Sequence, residues 1–168
     1  MNDTRARLTG YLIALGTLAA DQVTKRMVLG WLDPRNPVEI LGEFLRFTLV
    51  WNRGAAFSLA WGGPVVLTVV TGAAAILVSV LIWRMADRPR LFLAGMGAIL
   101  GGALGNLMDR FMYGSVLDFI DVGLAGRRWP TFNVADVAIT AGGVILVILY
   151  WRETRAERAE GNDTDGSG

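Results

Sequence analysis

The sequence predicts a membrane α-helical protein: four transmembrane helices, a small extracytoplasmic β-sheet between helices 1 and 2, and an extracytoplasmic loop between helices 3 and 4. Three observations carry this fold class. Hydrophobic residues make up 53% of the 168, with a mean hydropathy of +0.44, more than a soluble domain of this length carries. Residues 65–83 run without a charge into Trp83 and Arg84, and two further long apolar runs follow. The segments between the runs are rich in Pro, Gly and Asn, and one of them alternates as strands do.

The first helix is read over residues 8–29. Its apolar part, 8–20, is short for a span, and with Arg5 and Arg7 before it and the small pair Ala19–Ala20 at its end it resembles a cleavable leader. The helical pattern continues, however, through Asp21, Gln22, Lys25 and Arg26 to Leu32. This favours an uncleaved helix with its polar residues near the outer end. Asp21 and Lys25 stand four apart on one face, as a local ion pair or as functional groups. Pro34 and Pro37 then end the helix, and 39–51 alternates with aromatic and β-branched residues, predicting two or three short strands at the membrane surface.

The second and third spans are placed at 65–83 and 91–109. The short link between them holds Arg84, Arg88 and Arg90, which the positive-inside rule assigns to the cytoplasm. Gly97, Gly101 and Gly105 recur every four residues along the third span. Such a stripe serves close packing among the protein's own helices, or a groove for another chain's helix. Asn133 opens the fourth span, 134–151, which ends in Tyr150, Trp151 and Arg152. Residues 1–152 thus form a single integral membrane domain with both termini cytoplasmic, and 153–168 is expected to be a disordered cytoplasmic tail.

The composition restricts the chemistry. Without Cys or His there is no disulfide, no thiol nucleophile and no Ser-His or Cys-His arrangement. The 16 Lys and Arg are spread along the chain, so no nucleic-acid footprint exists. Neither a metal nor another cofactor is expected.

The carboxylates concentrate in 105–136, between two apolar spans, where they are costly and call for a reason. Asn106, Asp109 and Arg110 share a helix face, and an Asp109–Arg110 pair would act as scaffold, because the cation holds the acid ionised. Asn133 and Asp136 fit a helix start, with Asn as N-cap and an acid in the first turn. Asp118, in the apolar stretch VLDFI, offers Asp136 a second role. Two carboxyls at close range share one proton, which suits aspartic-protease chemistry. Asp121 is an alternative partner. Three other readings remain open on residues alone: a Ser-Lys hydrolase using Lys25 with Ser58 or Ser115, a proton or ion carrier, and a metal-assisted hydrolase with Asp ligands.

Taken together, DQVTK at 21–25, NRGAAFS at 52–58, GNLMDR at 105–110, VLDFI at 116–120 and FNVAD at 132–136 resemble lipoprotein signal peptidase (signal peptidase II), in order and across nearly the whole chain. The resemblance implies a bacterial inner-membrane aspartyl endopeptidase. Such an enzyme removes signal peptides from prolipoproteins, cutting before a diacylglyceryl-modified cysteine. It implies the catalytic pair Asp118 and Asp136, with Asp21, Lys25, Asn52, Gly54, Asn106, Asp109, Arg110 and Asn133 binding substrate or supporting the pair. The partners implied are the lipidated prolipoprotein signal peptide, membrane lipid and globomycin-type inhibitors. The expected working unit is a monomer with its active site at the outer-leaflet edge.

Overall fold

The structure, a computed structural model, describes residues 3–54 and 63–165. Four long helices are present among them: α1 (Asp3–Trp31), α2 (Gly63–Arg84), α3 (Arg90–Tyr113) and α4 (Val134–Asp165). Val65–Arg84, Arg90–Tyr113 and Val134–Arg158 are long and apolar enough to cross a membrane. α1 has the length, but its second half carries Asp21, Gln22, Lys25 and Arg26. The bundle's exterior is apolar, with Val65, Val69, Ile76 and Leu77 of α2 among its exposed residues. In water such a surface would be a liability; against hydrocarbon it is ordinary.

α3 is the central helix, touching α1, α2 and α4. Its glycines decide this. Gly97 and Gly101 lie against the backbone carbonyls of Gly10 and Ala14 of α1, and a Cβ on Gly105 would stand 2.5 Å from the Asp21 carboxylate. On another face, a Cβ on Gly102 would meet the Ala135 carbonyl of α4 at 2.5 Å. Each helical glycine costs up to about 1 kcal/mol in propensity relative to Ala, which close backbone approach offsets. The glycine stripe therefore serves the protein's own packing, and the groove for a foreign helix considered from sequence is already filled by α1. α3 stops at Gly114, whose left-handed φ of 68° lets its N–H donate to the Arg110 carbonyl.

A four-stranded antiparallel sheet covers one end of the bundle, in the order β1 (Val38–Leu41), β2 (Leu45–Asn52), β3 (Val116–Leu124), β4 (Arg127–Arg128). β1 and β2 are the strands expected between the first two helices. The loop expected between the last two spans is instead β3 and β4, joined at Ala125 and Gly126, which both have positive φ as two-residue hairpin turns require. The reason is visible in 116–124: Leu117 and Phe119 on one face bury against Val28 of α1 and Leu32 just past its end, with Phe47 of β2 edge-on to Phe119. Pairing with β2 satisfies this strand's backbone. The register shifts between Phe47 and Val50, beside the Val50↔Asp118 pair, as bulges near functional side chains often do.

Past the apolar span, α4 runs on through residues 153–165. Glu153 pairs with Arg88 at 2.7 Å, Arg155 stacks over Trp151, and the stretch is rich in helix-forming Ala, Glu and Arg.

Candidate active site

Two elements meet where the sheet joins the bundle. β3 carries Asp118, and the first turn of α4 carries Asp136. Asp118 is buried, at 2% exposure. Its two oxygens accept from Asn133 Nδ2 at 2.7 Å and Asn52 Nδ2 at 2.9 Å. Burial pushes its carboxyl up to about 6, and the Asp136 charge adds to this; the Asn52 and Asn133 bonds and the Lys25 ammonium pull the other way.

Asp136 is half-buried and accepts from Asn106 Nδ2 at 2.8 Å. It also completes a capping box. The Asp136 N–H donates to Asn133 Oδ1 at 3.0 Å, and the Asn133 N–H returns a bond to Asp136 Oδ2 at 3.2 Å. The helix-start and functional readings of these two residues are thus compatible. Asn133 Nδ2 also reaches Asn106 Oδ1 at 3.1 Å, so two amides bridge the two carboxylates without adding charge.

Behind the amides lies a buried ion cluster. Lys25 Nζ stands 2.8 Å from both Asp21 Oδ2 and Asp109 Oδ2, and donates to Asn106 Oδ1 at 3.3 Å. Asp21 and Lys25 form the local pair their spacing suggests. Asp109, however, pairs with Lys25 and not with Arg110, which corrects the Asp109–Arg110 pair expected from sequence. Adjacent helical residues point about 100° apart, so Asp109 faces α1 while Arg110 turns aside. Arg110 Nη1 bonds the Asn106 carbonyl, and its charge acts on Asp136 first, then Asp118.

Gly54 sits at φ 80° and its N–H donates to Asn52 Oδ1 at 2.8 Å. This fixes the Asn52 amide with its nitrogen toward Asp118. A Cβ at Gly54 would collide with Leu67 of α2. The NRGAAFS motif beyond Gly54, including Ser58, lies outside the described residues.

Asp121 is no partner for Asp118. Arg46 Nη2 at 2.9 Å and Arg128 Nε at 2.5 Å bracket it. Burial pushes its carboxyl up, but the two guanidiniums outweigh this and hold it below the usual carboxylate range. Lys25 is saturated by carboxylates and Asn106, and Ser115 Oγ bonds the Tyr113 carbonyl, so the two do not form a Ser-Lys pair. Sequence reasoning missed Gln22, whose Nε2 donates to Asp109 at 3.0 Å and Asp21 at 3.3 Å. It missed Arg46 and Arg128 as well; a signal for Gln22 was its place one residue after Asp21.

Asp136 also borders a cavity of about 470 Å³ walled by Trp129, Phe132, Val137, Thr140 and Ala141. An apolar-walled cleft with a carboxylate at its edge can seat an extended peptide or lipid beside a reacting group.

Several known proteins resemble this chain in sequence and in fold. The family model described as signal peptidase (SPase) II matches residues 13–152. A lipoprotein signal peptidase of Chlorobium luteolum is 40% identical over 150 residues, covering 84% of this chain and 90% of that protein. One of Rhodococcus jostii is 41% identical over 149 residues, covering 85% and 72%. A solved bacterial membrane enzyme superposes with a TM-score of 0.76 at 30% identity, covering 84% of this chain and 92% of the other.

Proposed function

Because this chain belongs to the signal peptidase II family, we propose that it removes signal peptides from prolipoproteins by aspartic chemistry. The catalytic pair in this reading is Asp118 and Asp136, and the cut falls before a diacylglyceryl-modified cysteine. The observation that carries the reading is the shared environment of the pair: two carboxyls from separate elements, bridged by Asn106 and Asn133, with Asp118 pushed up to about 6.

Four acids gather here, Asp21, Asp109, Asp118 and Asp136, against two cations, Lys25 and Arg110. One proton shared by Asp118 and Asp136 relieves the excess. The ionised member takes a proton from water as the water oxygen bonds the scissile carbonyl carbon. The protonated member then delivers its proton to the amide nitrogen, and the C–N bond breaks. Either carboxyl can take either part, so the two roles belong to the dyad. Arg110 carries a positive charge beside both carboxylates and offsets part of the charge that remains.

The topology in this reading has all four helices crossing a bacterial inner membrane, both termini in the cytoplasm, and residues 1–152 as one domain. Arg84, Arg88 and Arg90 mark the cytoplasmic turn. The sheet end is then extracytoplasmic, and the dyad lies at the edge of the outer leaflet. The α1 charges cost little there, because Asp21 and Lys25 are paired inside the bundle rather than facing lipid. The same site takes globomycin-type inhibitors, and the protein works as a monomer without metal or cofactor.

The test of substrate class is a cleavage assay of the purified full chain on one prolipoprotein, with and without the diacylglyceryl group, with the products identified by mass. The expected result is cleavage of the lipidated form alone, at the bond before the cysteine. Equal cleavage of both forms contradicts the substrate assignment.

A further inference from the structure

The buried Asp21–Lys25–Asp109 cluster does more than neutralise itself. Asp109 Oδ2 accepts the N–H of Leu117, the residue before Asp118, at 3.0 Å. Asp21 Oδ1 accepts the N–H of Ala135, the residue before Asp136, at 3.0 Å. The two acids that grip the dyad's backbones are joined by one ammonium, 2.8 Å from each. That ammonium also donates to Asn106 Oδ1, which leaves the Asn106 amide nitrogen to face Asp136. All three side chains are 3% exposed or less.

We infer that Lys25 is a positioning residue for the reaction: it ties Asp21 to Asp109 and so sets the separation of the two backbones that carry Asp118 and Asp136, and it fixes the Asn106 amide. This inference rests on the dyad reading above. The chemistry favours Lys for the place. A compact ammonium with three donors meets three acceptors, Asp21, Asp109 and Asn106. A planar guanidinium is longer and would spread them.

Removing Lys25 alone leaves two buried carboxylates uncompensated, and the fold is then at risk. Two variants avoid this. Asp21→Asn/Lys25→Met/Asp109→Asn keeps an acceptor for each backbone N–H but removes the cluster's charge and its tie. Lys25→Arg keeps the charge and alters the spacing. Each is purified as the full chain, checked for folding by circular dichroism and thermal unfolding, and assayed on lipidated prolipoprotein for kcat and KM separately.

The expected result is a folded triple variant with kcat reduced about 100-fold and KM near wild type, since misplacement by about 1 Å costs on that order. Lys25→Arg should lose about tenfold or more in kcat with little change in KM. Wild-type kcat in either folded variant overturns the inference, as does a loss confined to KM. If neither variant folds, Lys25 is a folding residue and the inference also fails. Asp118→Asn and Asp136→Asn are run in parallel. Substantial turnover in those two defeats the dyad reading itself, whatever Lys25 does.

Discussion

Asn133 donates to Asp118 across 2.7 Å from the residue that opens α4, the helix whose first turn holds Asp136. One side chain therefore serves as helix cap and as strut between the two carboxylates. Ser caps helices about as well as Asn but is too short to reach Asp118. Asn133→Ser should change stability by a few tenths of a kcal/mol at the cap, while turnover falls about 100-fold. Asn133→Ala should lose both, with about 1 kcal/mol of cap energy gone. Thermal unfolding and a turnover assay on the same samples separate the two effects.

The raised Asp118 carboxyl makes a stability prediction with a definite sign. A group whose folded pKa lies above its unfolded value favours the fold in its protonated form. That contribution is complete below 3.8 and is lost as pH rises through about 6. At pH 8 the buried carboxylate is a burden on the order of 3 kcal/mol. Asp118→Asn should therefore unfold at a higher temperature than wild type at pH 8, with the gap closing toward pH 4. A variant no more stable at pH 8 than wild type would show that Asp118 is not held in this way.

The same group sets an alkaline limb on activity. kcat/KM should fall as pH rises past about 6, when the dyad loses its shared proton. Asn52 bonds the charged form of Asp118 and so lowers its pKa. Asn52→Ala should move the limb to higher pH. A limb that stays in place, or moves to lower pH, contradicts the assignment of Asn52.

Asp121 offers the contrasting case three residues along the strand. Its carboxylate, held low by Arg128 and Arg46, stabilises the sheet above about 3.8, and this is lost as pH falls below the usual carboxylate range. Asp121→Asn should lower the unfolding temperature at neutral pH and leave kcat within about twofold of wild type, as expected outside the reacting groups.

Packing around α3 separates two glycines on neighbouring helices. A Cβ at Gly101 would press into the Ala14 carbonyl, and one at Gly16 would meet nothing within 4 Å. Gly101→Ala should cost about 1–3 kcal/mol. Gly16→Ala should be neutral or stabilising by up to about 1 kcal/mol. Unfolding midpoints in one detergent would show the difference.

Much of this arrangement is legible in the chain. The uncharged run 65–83 is α2, and the alternation in 39–51 marks β1 and β2. The Asn133–Asp136 spacing identifies the start of α4. What is not legible is long-range. Asp109 lies beside Arg110 in sequence, yet its partner is Lys25 on another helix. The glycine spacing on α3 announces close packing without naming α1 as the neighbour. β3 was hidden because Asp118 and Asp121 interrupt an otherwise apolar strand, and their acceptance there depends on Asn133, Arg46 and Arg128, all outside that strand. Local patterning fixes elements; the partners of buried charges are fixed only when elements meet.

The most direct measurement is single-turnover cleavage of a lipidated prolipoprotein by wild type, Asp118→Asn and Asp136→Asn, each shown to be folded. Both variants should lose at least about 1,000-fold, in line with removal of an essential acid or base. Substantial cleavage by either folded variant would contradict a shared-proton dyad at Asp118 and Asp136.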